Sequence, residues 1–201
     1  CIWLWSDGTW GTDGTDPGNN ALVWSRSTTV SRSGWYGEGR QTDIGFSAWT
    51  ATTQTSGLTS TTDVVSSAWF HVCYIFDQNV NETNTVYVNG TSEGSGTNSS
   101  LSPTYANNTI DMGDNGHAWW EEFDGQLTHM SYYSAQLSAV NINEIQWHAE
   151  WVPLSREVYL PLFGNNSPEI DLNGTGRTGT VSAGATESFN GPPTMIGDAP
   201  I

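Results

Sequence analysis

The chain has 201 residues, with 21 acidic side chains against five basic ones and a formal net charge of −16. All five bases are Arg and none is Lys, so the cations that displace counterions from phosphates are scarce, which disfavours nucleic-acid binding and electrostatic attachment to an anionic membrane. No apolar run approaches the roughly 20 residues that span a bilayer, while 11 Trp within a 36% hydrophobic composition allow a few large side chains to fill the core of one β-domain.

Short apolar or alternating runs, separated by Gly, Asn, Asp and Ser clusters, recur along almost the whole chain. They predict strands near 1–5, 20–25, 43–50, 64–66, 69–76, 84–88, 108–112, 124–133, 157–163 and 178–182. Between the first two lies an acidic, Gly-rich loop, residues 6–19. Residues 69–76 (WFHVCYIF) are dense in aromatic and β-branched types, which suits a central strand buried on both faces. Residues 84–88 lead into Asn89-Gly90, a dipeptide that tolerates the positive φ of a tight hairpin turn. Residues 91–103 read as a polar loop.

One helix is expected, over 139–149, with Ser138 as its cap, Pro153 beyond its end, and Val140, Ile145 and Ala149 on its buried stripe. The tail 190–201 holds three prolines and reads as an extended segment able to dock on a neighbour. Starting at Cys1 without an initiator Met, the chain reads as processed or as part of a longer one. Many strands with turn signals between them predict an all-β, two-sheet antiparallel sandwich over residues 1–189.

Candidate chemistry is sparse. Trp119-Trp120 followed by Glu121 reads either as an acidic loop over core tryptophans or as a carbohydrate platform. In the second reading an indole face stacks on a sugar ring while Asp114, Asn115, His117 and Glu121 hydrogen-bond its hydroxyls. No cofactor is required by these patterns. Calcium is the ion that fits, because hard cations take about six to eight oxygens and Asp7, Asp13 and Asp16 stand in one Gly-rich loop. Asp111, Asp114 and Asp124 form a second acidic set, and Asp-Gly pairs also simply make turns.

Cys1 and Cys73 form either a disulfide or buried free thiols. The four histidines, His71, His117, His129 and His148, lack the short spacing of zinc ligands, and His71 and His129 read as strand residues. Six N-x-Ser/Thr sequons occur, at Asn81, Asn89, Asn98, Asn107, Asn165 and Asn173.

Residues 69–146 resemble the laminin-G-like jelly rolls of the concanavalin-A-like lectin/glucanase superfamily. The likeness rests on an ordered series: Trp69-Phe70-His71-Val72, Val86-Tyr87-Val88-Asn89-Gly90, Ile110-Asp111-Met112-Gly113, Phe123-Asp124-Gly125-Gln126-Leu127, and Leu137-Ser138 followed by Glu144-Ile145. It implies two packed antiparallel sheets with the helix on an outer connection. Gly125 is expected where two backbones approach closely.

Residues 158–184 resemble a segment usually found at the beginning of such domains. Here it follows the rest, so either 157–184 supplies permuted closing strands beside Cys1–Trp5, the arrangement expected, or a second copy starts. Retaining glucanases of the superfamily use two carboxylates about 5–5.5 Å apart. The nearest match, Glu169-Ile170-Asp171-Leu172-Asn173, has an amide where the second acid belongs, so no catalytic residue and no enzyme activity is expected.

The combination of features is similar to domains of phage and other viral structural proteins and of marine bacterial surface proteins. The resemblance implies a non-enzymatic structural or adhesion module, extracellular or on a virion surface and part of a larger assembly. Its expected partners are neighbouring structural subunits or surface glycans, with no nucleic acid and no membrane insertion. The alternative it implies is a carbohydrate-binding lectin, calcium-dependent if the Asp loop binds the ion.

Overall fold

A strand that is apolar on both sides needs a packing layer on each of them, and this requirement organises the molecule. The computed structural model describes residues 1–6, 19–26, 34–40, 43–49, 54–63, 67–76, 83–97, 110–113, 123, 125–148, 155–162, 169–174 and 176–180. Their elements, in chain order, begin with β1 (Ile2–Ser6), β2 (Asn19–Arg26), β3 (Gly34–Arg40), β4 (Asp43–Trp49), β5 (Gln54–Thr59), β6 (Ala68–Ile75), β7 (Thr83–Val88) and β8 (Thr91–Thr97). They continue with β9 (Asp111–Met112), β10 (Gly125–Thr128), β11 (Met130–Tyr133), α1 (Ala139–Trp147), β12 (Arg156–Leu160), β13 (Glu169–Ile170) and β14 (Thr178–Gly179).

Among the described residues one five-stranded sheet runs β10-β1-β6-β7-β8 and a second runs β5-β4-β3-β2-β9. Neighbours in each are antiparallel. Successive side chains of β6 alternate between two packing layers. Phe70 and Val72 join Ile2, Leu4, Val86 and Val88 in a core completed from the second sheet by Leu22, Ile44, Phe46 and Leu58. Burying a side chain of this kind contributes about 1.5–3 kcal/mol. On the opposite face Cys73 and Ile75 pack under Leu137, Ile142 and Ile145, at and within α1. The expected sandwich with a helix outside it is therefore what these residues build.

Asn89 (φ 49°) and Gly90 (φ 76°) take the two left-handed positions of the hairpin between β7 and β8. A Cβ at Gly90 would collide with Asn143 of α1, so the turn and the helix are matched to each other. The backbone at Gly125 lies so close to the Trp5 carbonyl that no Cβ fits there, as the sequence implied. The far edges of the two sheets meet where Glu93 of β8 accepts hydrogen bonds from Thr61 N (3.3 Å), Thr62 Oγ1 (2.7 Å) and Thr61 Oγ1. Those donors hold the Glu93 carboxyl below its usual range.

Several expectations need correction. The polar stretch 91–103 begins as strand β8, because the Asn89-Gly90 turn delivers it against β7 and a ladder of backbone bonds needs no apolar side chains. β3 and β5 are strands although their sequences carry no alternating apolar pattern to signal them. Residues 124–133 do not form one strand. His129 sits at φ 52° and turns the chain from pairing with β1, through β10, to pairing with β12, through β11.

The helix has its Ser138 cap, with Asn141 N donating to Ser138 Oγ (3.2 Å) and Ser138 N to Asn141 Oδ1 (3.2 Å). It ends at Trp147, however, and its buried residues are Ile142, Ile145 and Gln146 while Val140 is exposed. Strand β12 pairs with β11 rather than lying beside Cys1–Trp5, because β6 and β10 already occupy both edges of β1. The strand expected at 64–66, the helix position Ala149 and the tail 190–201 lie outside the described residues. No helix among the described residues is long and apolar enough to cross a membrane.

Candidate functional site

The residues expected to bind sugar, Asp114, Asn115, His117, Trp119, Trp120 and Glu121, lie outside the described residues. So do Asp7, Asp13 and Asp16, the expected calcium ligands, and Asp124. Asp111 is described, and is exposed on β9. What the fold defines is how the flanking residues are anchored.

Gly113 N donates to Leu22 O (3.1 Å) and Phe123 N donates to Gly113 O (2.7 Å), so the two sides of the Trp segment are tied to each other and to β2. Ser6, which precedes the Asp-rich segment, pairs with Gly125 and accepts from Ser67 N (2.8 Å). Gly125 lies two residues beyond Phe123. One flank of the Asp-rich segment, Ser6, therefore lies in the first sheet beside a residue just past the Trp segment's flank, while Gly113 is held by the second sheet.

The acidic pattern Glu169-Ile170-Asp171-Leu172-Asn173 does not lie along one strand. Only Glu169–Ile170 is strand, and the chain then turns. Asp171 is 4% exposed and its Oδ1 accepts from Tyr159 N (2.8 Å) and Asn173 N (2.9 Å). Asn173 Nδ2 donates to Arg156 O (2.7 Å), Arg156 Nε returns a bond to Asn173 Oδ1 (3.1 Å), and Leu172 N donates to Tyr159 O (3.0 Å). Side chains of this turn thus satisfy the outer backbone edge of β12, which protects it from pairing with another chain. Asp171→Ala strands two backbone donors and is expected to cost about 1–3 kcal/mol, read as a lower urea midpoint with the same fold by circular dichroism. An unchanged midpoint would refute that role.

Beside this turn, Arg156 lies 4.5 Å from the centre of the Tyr159 ring, and the Tyr159 hydroxyl is 2.7 Å from His129 Nδ1. Burial lowers the His129 pKa. His129 thus lies at a break between strands rather than within one.

On the helix-covered face of the first sheet, Cys1 and Cys73 are joined in a disulfide. His71, two residues from Cys73 and on the same face, brings Nε2 to 3.8 Å from the Cys73 sulfur, and its ring lies 5.2 Å from that of Trp3. Burial pushes the His71 pKa down to about 3. Spacing alone did not reveal this cluster, because only the β1–β6 pairing brings Cys1 to the other two residues.

The arrangement agrees with a relationship across the chain. A family model described as the concanavalin A-like lectin/glucanases superfamily, the Laminin_G_3 model, matches residues 9–143. The chain belongs to that superfamily. No curated protein matches this superfamily member by sequence. Among solved structures, a "putative carbohydrate binding protein" from Bacteroides ovatus is similar, with a TM-score of 0.65 and 15% identity. The likeness covers 89% of this chain and 50% of that one, so the chain spans half the length of that neighbour. At this identity the likeness shows a shared fold. Within this superfamily, whose glucanases need two facing carboxylates, the chain's nearest acidic pattern holds up a strand edge.

Proposed function

We propose that the domain is a non-enzymatic carbohydrate-binding module. The observation that carries the reading is Asp171: the central carboxylate of the most glucanase-like pattern is buried and committed to two backbone donors. A carboxylate so engaged is not available to attack or protonate a glycosidic bond. Superfamily membership and a structural neighbour described as carbohydrate-binding support sugar recognition as what the fold does here.

The residues proposed for the contact are Trp119 and Trp120, for stacking, with Asp114, Asn115, His117 and Glu121 for the hydroxyls. Asp7, Asp13 and Asp16 are proposed for a calcium ion that would make binding calcium-dependent. The test is a glycan array with and without calcium, on wild type and on the Trp119→Ala/Trp120→Ala variant. Wild type is expected to retain at least one glycan class. Loss of both stacking rings is expected to weaken binding by at least about tenfold. No binding at high protein concentration, or equal binding by the variant, would remove this reading.

A second reading, a structural or adhesion module on a cell or virion surface that contacts neighbouring subunits, draws support from the charge of −16 and the Cys1–Cys73 disulfide. A disulfide suits an oxidising, extracellular compartment. Neither reading invokes nucleic acid or membrane insertion.

A further inference from the structure

We propose that Cys1, Cys73 and His71 form a binding site for a thiophilic divalent cation of the zinc class whenever the disulfide is reduced. The pairing of Ile2 with Val72 sets Cys1 directly across from Cys73 on the next strand. His71 precedes Cys73 by two residues and so projects from the same face. The ligating atoms of the three side chains lie within 4.8 Å of one another. A tetrahedral zinc-type site, with metal–sulfur bonds of about 2.3 Å and metal–nitrogen bonds of about 2.0–2.1 Å, holds its two sulfurs roughly 3.8 Å apart, so the sulfurs, bonded to each other in the disulfide, separate on reduction to admit the ion.

His71 supplies the second, independent observation. It is 1% exposed, and its Nδ1 has no hydrogen-bond partner. Its Nε2 faces the Cys73 sulfur. An imidazole buried at this depth normally has both nitrogens occupied. The side chain of this one bridges no strands by hydrogen bonds, and Nε2, 3.8 Å from the Cys73 sulfur, is the nitrogen within reach of a shared ion.

The charges also balance. Two thiolates and one neutral imidazole around a divalent ion give a cluster without net charge, which can stay buried under α1 at far lower cost than a lone ion. In the disulfide the same sulfurs are bonded to each other and are poor ligands, because the thiolate is the metal-binding form. The two strands are therefore joined covalently in oxidising surroundings and by the ion in reducing ones. Reduction by a phosphine consumes the disulfide, one phosphine and one water, and yields two thiols and one phosphine oxide. The cation then displaces the two thiol protons.

The test uses the full chain, reduced with a phosphine in mild urea, returned to urea-free and reductant-free buffer under argon, and titrated with Cd²⁺ alone. The readouts are the sulfur-to-cadmium charge-transfer absorption and the thermal midpoint. The reduced chain is expected to bind one equivalent with a raised midpoint, and the oxidised chain none. Losing a direct nitrogen ligand, as in His71→Gln, is expected to weaken binding by about tenfold or more. The Cys73→Ser variant is expected to lack the absorption band.

If the reduced chain is unfolded without metal, recovery of its near-ultraviolet circular dichroism on adding Cd²⁺ supports the site, and failure to recover overturns it. A folded, reduced wild type without the band, or a His71→Gln variant that binds as tightly as wild type, also overturns it.

Discussion

Acidification is expected to destabilise the fold far more than a sandwich with only surface carboxylates would allow, and His71 is the reason. Its ring is buried neutral, and burial holds its pKa at about 3 against an ordinary value of 6.5. Between those values the unfolded chain binds a proton that the folded one refuses, so stability rises with pH across the window and is fully present above 6.5. Taking the pH from the top of that window to its bottom should remove on the order of 4 kcal/mol, because each pH unit crossed is worth about 1.36 kcal/mol.

For a chain of this size the loss corresponds to a fall of roughly 8–16 °C in Tm. His129, also lowered by burial, acts in the same direction. Glu93, held below its usual range, gives up its stabilising bonds as pH falls through its folded pKa. That contribution is small, because the site is exposed and screened. The check is a series of thermal melts between pH 3 and 7 on wild type and His71→Phe. The Phe ring keeps the contact with Trp3 and removes the titration, so its pH slope should be the shallower. Identical slopes would mean that His71 is not the acid-sensitive group.

Cys73→Ser is expected to be the most damaging single substitution among the described core residues. The disulfide joins positions 72 residues apart, and a cross-link over a loop of that length restricts the unfolded chain by about 4 kcal/mol. In the folded state Cys73 also belongs to the cluster beneath α1, with Ile75, Leu137, Ile142 and Ile145, so the substitution places a hydroxyl among apolar side chains. Urea unfolding of the variant, and of wild type with and without reductant, measures the effect. All three are run with a chelator so that adventitious metal cannot substitute for the cross-link. Equal midpoints for oxidised and reduced wild type would contradict it.

Much of the fold was legible along the chain, for identifiable reasons. Residues 69–76 read as a doubly buried strand because every position is apolar or aromatic apart from His71, and β6 is central to its sheet. Asn89-Gly90 announced its hairpin because few other dipeptides accept two left-handed residues in succession. Ser138 marked the helix start, because a cap is a local interaction written into four adjacent residues. β3, β5 and β8 were not legible. Their ladders are made of backbone bonds to neighbours already in place, and sequences such as TSEGSGT show no alternation to read.

By itself, the sequence determined what depends on neighbours a few residues apart: the turn dipeptide, the helix cap, the apolar alternation, and the acidic balance that argues against polyanionic partners. Only the tertiary structure decided what depends on pairing between distant strands. Register across β1 and β6 placed Cys1 and Cys73 together beside His71, whose Nδ1 is buried without a partner. The packing of the 169–173 turn against β12 made Asp171 an acceptor for two backbone donors. In both cases the deciding quantity is a distance through space between residues that no spacing along the chain encodes.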